Sequence, residues 1–275
     1  MRKTIHRSTL AASVALLLGS SPAWAIYVNG GFETGDYTGW TIGGGINPGL
    51  SGSPPFTGAN IVISGSSPGP ATVVGAIVDP RAPTVLLPRA GTLTAKLSDE
   101  NGGQTITTMT QVDTLTAADI DPGDGMPHVR FAFAPVLEDP GHTPDEQPYF
   151  YVSVTDMATS TVLFEQFAYS GQPGVTYLTG AGSFKYLDFQ DIDVVLPIGS
   201  IGSPIELRVV AAKCALSGHG GYVYVDGFGS AAVPPPGGGV PYFYEPVPAV
   251  PPVGLALLGG LLAAAGVWFR RRQRG

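Results

Sequence analysis

Apolar positions follow two patterns along this chain: unbroken runs near the two ends, and short alternating segments between them. The middle, residues 26–230, reads as strands divided by Gly, Pro, Asn and Asp turns. Residues 61–64, 72–78, 92–97 and 106–112 are short β-rich runs, and residues 129–136 carry Phe131 and Phe133 in alternation. Residues 149–155 and 162–168 are further strands. Ile205, Leu207, Val209 and Ala211 alternate with Glu206, Arg208 and Val210, the period of a half-buried strand. Residues 222–226 are the last strand, and no long stripe of helical period interrupts the series. Many short strands with turn signals in one domain predict an all-β fold, a jelly-roll-type β-sandwich.

The two end runs read differently. Arg2, Lys3 and Arg7 precede an apolar stretch at residues 10–19, and Ala23-Trp24-Ala25 closes it. That order of charge, apolar run and small residues is a secretory signal peptide over residues 1–25, with Ala23 and Ala25 at the cleavage site. The mature chain then begins at Ile26. Residues 253–269 are uncharged and apolar, and Arg270, Arg271, Arg272 and Arg274 follow at once. As a helix this run is about 25 Å long, slightly short of a hydrocarbon core of about 30 Å. The arginines, residues 270–275, are expected to stay cytoplasmic as a membrane stop. Residues 231–252 hold Pro234, Pro235, Pro236, Pro241, Pro246, Pro248, Pro251 and Pro252, which makes a semi-rigid extended spacer. Together these features predict an exported chain of the cell envelope: domain outside, one transmembrane helix, tail inside.

Charge and cysteine content narrow the choice. All 21 acidic residues lie between the two end segments, against seven basic ones there, a formal −14. Such a surface repels nucleic acid and anionic lipid and suits divalent cations or neutral ligands. Cys214 is the only cysteine, so an internal disulfide is excluded. Following an apolar strand pattern, it reads as a buried, inert thiol.

Two stretches resemble known families. Glu245-Pro246-Val247-Pro248, the apolar run and the terminal arginines together resemble the PEP-CTERM sorting signal of Gram-negative bacteria. In this chain the usual Val-Pro-Glu-Pro core is split, since Ala249 follows Val247-Pro248 and Glu245-Pro246 precedes it. The resemblance implies an inner-membrane intermediate, processing by signal peptidase and an exosortase-type protease, and delivery to the cell surface or medium. The mature start, Asn29-Gly30-Gly31-Phe32-Glu33-Thr34-Gly35 with Gly39-Trp40, is similar to the first strand of carbohydrate-binding and galactose-binding-like jelly rolls. The end, Gly218-His219-Gly220-Gly221-Tyr222-Val223-Tyr224-Val225-Asp226, resembles the close of bacterial surface domains sharing that start. In such domains the first and last strands lie side by side. The resemblance therefore implies Glu33 and Asp226 as ligands of a structural Ca2+, which takes six to eight oxygens. The alternative is that both carboxylates are ordinary strand-end residues satisfied by backbone N–H groups.

Other patterns carry less chemistry. Gly65-Ser66-Ser67-Pro68-Gly69 fits G-x-S-x-G, but no helix is expected after it, as a nucleophile elbow requires. Asp119, Asp121 and Asp124 read as a solvated turn. Glu138, Asp139, His142, Asp145 and Glu146 form an acidic loop whose carboxylates could serve glycoside hydrolysis if they were paired in space. His128, His142 and His219 stand in no recognised zinc spacing. The expected function is a non-catalytic surface or extracellular-matrix protein used for adhesion or structure. The alternatives are a glycan-binding module contacting extracellular polysaccharide and, behind it, a secreted glycoside hydrolase.

Overall fold

A computed structural model describes residues 26–232. The signal site at Ala23 and Ala25, the sorting motif from Glu245 to Pro248, the apolar run and the terminal arginines lie outside the described residues. No helix among the described residues is long and apolar enough to cross a membrane.

In chain order the strands are β1 (Thr41–Ile46), β2 (Ala71–Val74), β3 (Ile77–Val78), β4 (Leu86–Leu87), β5 (Thr94–Asp99), β6 (Thr105–Thr114) and β7 (His128–Glu138). There follow β8 (Tyr149–Asp156), β9 (Thr161–Tyr169), β10 (Leu178–Thr179), β11 (Phe184–Tyr186), β12 (Gln190–Val195), β13 (Pro204–Ala212) and β14 (Gly221–Gly229). They build an all-β sandwich. One sheet has the order β1-β6-β13-β8-β9, and the other has β10-β11-β7-β14-β5-β2 with β12 also on β7. Paired strands run antiparallel throughout. Successive strands β5 to β8 alternate between the sheets, as do β12 to β14, so the inner faces of both sheets are filled by residues distant in sequence.

Period-two alternation sorts the side chains. Phe131, Phe133 and Leu137 of β7 enter the central core with Phe150, Val152, Leu207, Val209, Val223 and Val225. Ala134 and Val136, of opposite parity on β7, join a second cluster outside the sheet with Tyr222, Tyr224, Ala82, Val85 and Leu87. A third cluster, with Leu50, Phe56, Tyr149, Tyr151 and Val210, covers the outside of the other sheet. The loops carrying Leu50 to Ile63 and Ala82 to Leu87 are therefore lids on the sheets. They explain why β7 is a nearly continuous apolar run, since both its faces are covered. Each fully buried ring such as Phe131 contributes about 1.5–3 kcal/mol by leaving water.

Several expectations need correction. Residues 29–40 form no strand: Asn29 and Phe32 have φ of 53° and 58°, incompatible with extended backbone, and the first strand begins at Thr41. Nor do the first and last strands lie side by side, since β1 pairs with β6 and β14 lies between β7 and β5. Residues 61–64 form only a bridge from Ser64 to Ile46, because Ile61 and Ile63 serve as lid contacts on the third cluster. The run 72–78 breaks into β2 and β3. Asp119 is no solvated residue: it is 1% exposed, and its carboxylate accepts hydrogen bonds from the Ile26 and Thr116 amides.

Candidate functional site

The start of the mature chain is a string of turns pinned to the sandwich. The Ile26 amide donates to Asp119 (2.8 Å), and the Val28 amide donates to Gln111 Oε1 (2.6 Å), whose Nε2 returns a bond to the Val28 carbonyl (3.0 Å). Phe32 is fully buried and packs on Trp40 and Phe228 at ring separations of 5.6 and 6.0 Å. Trp40 Nε1 donates to the Asn29 carbonyl (3.1 Å). Gly30 lies so close to β14 that a Cβ would sit 1.9 Å from the Phe228 carbonyl oxygen. The Phe228 amide donates to the Gly30 carbonyl at 3.0 Å. The N-G-x-F-E run is thus a buried aromatic anchor that carries Glu33 to the far end of the last strand.

That strand presents Tyr222, Tyr224 and Asp226 at alternate positions, on one face. All three grip the same covering segment, residues 79–94. Both tyrosine hydroxyls donate to the buried Asp79, Tyr222 at 2.9 Å and Tyr224 at 2.6 Å. Burial first, and then Asp79, by its charge at Tyr222 and by its hydrogen bond at Tyr224, pushes both phenols far above their ordinary pKa. Asp226 Oδ2 accepts from the Arg89 amide (3.1 Å), the Ala90 amide (3.0 Å) and Thr94 Oγ1 (2.8 Å). Its Oδ1 accepts from the Gly227 amide at 2.8 Å. Glu33 approaches the same segment: Oε1 accepts from the Thr92 amide (2.7 Å) and the Leu93 amide (3.1 Å), and Oε2 from the Thr92 hydroxyl. Gly91, with φ of 62°, makes room, since a Cβ there would meet Glu33 Oε1 at 2.1 Å.

The structure brings Glu33 and Asp226 to one loop, through a turn segment and not a neighbouring strand. Their donors are amides and hydroxyls, which is the hydrogen-bonded alternative stated above. One imbalance remains. Asp226 is fully buried, and burial pushes its pKa up to about 7; the hydrogen bonds from Ala90, Thr94 and Gly227 oppose that, and the Glu33 charge adds to it. A cation bridging the pair would answer this repulsion. As a donor set, two carboxylates cover only part of the six to eight oxygens that Ca2+ takes, and carbonyls or water must supply the rest.

The remaining sequence candidates separate. Ser67 is exposed and no helix follows it. In the acidic loop, Glu138 accepts from Ser183 Oγ (2.9 Å) and the Gly220 amide (2.8 Å), while Glu146 accepts from Thr143 Oγ1 (2.7 Å). His128 lies in an ionic network with Asp124, Asp193 and Arg130; burial opposes its charge, but the hydrogen bonds to Asp193 and Asp124 raise its pKa overall. Although the histidines stand in no zinc spacing, the fold brings His142 and His219 to Cys214, one ligand atom of each within 4.8 Å of the others. Also missed was an open cavity of about 290 Å³ lined by Asp139, Gln172, Val175, Thr176, Tyr177 and Lys185. Tyr177 is fixed there by its hydroxyl, which donates to the Tyr169 carbonyl at 2.9 Å.

No family model matches this chain, and no curated protein matches it. Among solved structures it is similar to TmCBM61 in complex with β-1,4-galactotriose, at 14% identity over 74% of this chain and 96% of that one, with a TM-score of 0.39. It is also similar to Caldicellulosiruptor saccharolyticus CBM27-1 in complex with mannohexaose, at 12% identity over 72% and 93%, TM-score 0.36. The K2 cleaved adhesin domain of Lys-gingipain matches at 14% identity over 72% and 93%, TM-score 0.36. At such identities and scores the likeness concerns the sandwich alone, and the chemistry of this chain must be argued from its own residues.

Proposed function

We propose that this chain is an exported, non-catalytic β-sandwich that binds extracellular polysaccharide at the cell surface or in a matrix. The observation that carries the binding part is the open cavity beside β11. A carboxylate (Asp139), an amide (Gln172), a hydroxyl (Thr176), an ammonium (Lys185) and one fixed aromatic ring (Tyr177) converge there. The lining of this open cavity is mostly polar, with Val175 and Tyr177 as its apolar part, so any ligand is held chiefly by hydrogen bonds. The net −14 of the exported part, seven basic against 21 acidic residues, favours neutral over anionic glycans. Glu138 and Glu146 are each committed to local hydrogen bonds, which supports a binding role over hydrolysis.

The sorting part of the proposal rests on sequence. Signal peptidase acts after Ala25, an exosortase-type protease acts near Glu245-Pro246-Val247-Pro248, and Arg270 to Arg274 hold the inner-membrane intermediate. A Ca2+ held by Glu33 and Asp226 would tie the N-terminal turns to β14 and would serve structure. A second reading, adhesion or structure with no defined sugar, is favoured by one observation. No Phe, Tyr or Trp among the described residues is exposed, so the surface offers no flat stacking platform.

A glycan array probed with the full chain in detergent decides between them. The expected result is binding to neutral polysaccharide that falls at least tenfold in Gln172→Ala and Lys185→Ala. A flat array with folded protein would overturn the glycan reading in favour of the structural one.

A further inference from the structure

The opposite end of β14 holds a second constellation, independent of the glycan reading. The connection from β13 to β14, which crosses from one sheet to the other, carries Cys214 at its start and His219 at its end, and the loop between β7 and β8 brings His142. Cys214 Sγ is 3.3 Å from His142 Nδ1, and the two imidazoles meet edge to face with centroids 5.0 Å apart. One ligand atom from each of the three residues falls within 4.8 Å of the others. Cys214 is fully buried, and His142 and His219 are part-buried.

Three details point to a ligand. First, His219 Nδ1 is buried and has no hydrogen-bond partner. A buried ring nitrogen left unpaired is costly and invites an explanation, of which an absent ion is one. Second, the Leu216 amide donates to Cys214 Sγ at 3.3 Å, an arrangement that supports a thiolate. Third, burial first and then the negative charges of Glu146 and Glu138 oppose a free thiolate at Cys214, and a cation would offset those charges. In a tetrahedral site with zinc–sulfur and zinc–nitrogen distances of about 2.3 and 2.0–2.1 Å, the sulfur-to-nitrogen separation is about 3.6 Å. The Cys214–His142 distance is close to that, and the three ligand atoms, within 4.8 Å of one another, need to close by about 1 Å to share an ion.

We propose that Cys214, His142 and His219 form a site for a borderline transition-metal ion, zinc being the ion this sulfur–nitrogen donor set suits best. Binding replaces the Cys214 thiol proton, which leaves to solvent, with a sulfur–metal bond, and the two neutral imidazoles each donate one nitrogen lone pair. The fourth position falls to water. The ion staples the acidic loop to the β13–β14 connection in a chain whose single cysteine rules out an internal disulfide.

The test is a Co2+ titration of the metal-stripped, reduced full chain in detergent, followed by Zn2+ displacement. The expected result is one equivalent bound with thiolate-to-cobalt charge-transfer absorption in the near ultraviolet, erased by Zn2+. Cys214→Ser should abolish the band, and His142→Ala and His219→Ala should each weaken binding at least tenfold. Glu33→Gln should leave the titration unchanged, which separates this site from the carboxylate pair. Folded wild-type chain that takes up no Co2+ would overturn the proposal and leave the thiol–imidazole contact as a plain hydrogen bond. So would a band that survives both histidine variants, or one lost in Glu33→Gln.

Discussion

The Gly221 and Asp226 ends of β14 are about 17 Å apart at strand spacing and are built from opposite chemistry. At the Asp226 end every candidate ligand atom is a carboxylate oxygen, and the carboxylates are already engaged by amides and hydroxyls. At the Gly221 end the donors are one sulfur and two imidazoles, and a buried nitrogen is left unengaged. The first end is woven into the fold, because its hydrogen bonds hold down the segment 79–94. The second is a meeting of two loops that the sandwich could complete without. The difference teaches where to look for a structural residue and where for a ligand: saturated polar groups clamp, and unsaturated ones wait for something.

The largest expected effect is on the covering segment that β14 clamps along its length. Asp79→Ala removes the acceptor of the Tyr222 and Tyr224 hydroxyls and of the Arg81 and Ala82 amides. Each buried donor left unmade costs about 1–3 kcal/mol, so the variant should lose upwards of about 5 kcal/mol in urea unfolding. A loss below about 1 kcal/mol would mean that the covering segment is not clamped and that the contrast between the ends is wrong.

Asp226 sharpens the contrast through pH. Its folded pKa, about 7, lies above the ordinary carboxylate value of 3.8. The folded chain keeps a proton that the unfolded chain has already lost. This contribution is therefore full below about pH 4 and disappears as pH rises through 7. At 1.36 kcal/mol per pKa unit the swing is about 4 kcal/mol. Stability measured against pH should show a fall over that window in metal-free protein, and Asp226→Asn should remove it. Millimolar Ca2+ should flatten the fall if Glu33 and Asp226 share a cation, since the ion and the proton compete for the same carboxylate. A curve that ignores Ca2+ would leave Asp226 as a clamp alone.

The sequence exposes these two ends unequally. Strands such as β6, β8, β9 and β13 were legible because period-two alternation is local. The strand β1 was not, since Gly43, Gly44 and Gly45 carry no side-chain pattern, and β12, with Asp191 and Asp193 between apolar residues, reads as a polar connection. Glu33 and Asp226 were legible as motif residues, but their partners in 89–94 were not, because amides leave no mark in a sequence. Asp79 was missed for a related reason: nothing local says that a lone acid will accept bonds from tyrosines 143 and 145 residues away. The His142–Cys214 contact spans 72 residues. No zinc spacing could reveal it, because the sandwich and not the local chain brings the two loops together.

The smallest effect tests the unsaturated end. Cys214→Ala in metal-free protein removes one buried sulfur, its bond from the Leu216 amide and its contact with His142. None of these supports a sheet, so the loss should be about 1 kcal/mol. With zinc in excess the wild-type chain should gain stability by mass action, about 2.7 kcal/mol at a hundred times the dissociation constant, and the variant should gain none. The gap between wild type and variant therefore widens only when the ion is present. An equal gap with and without zinc would make Cys214 an ordinary core residue, and both ends of the strand would then be clamps.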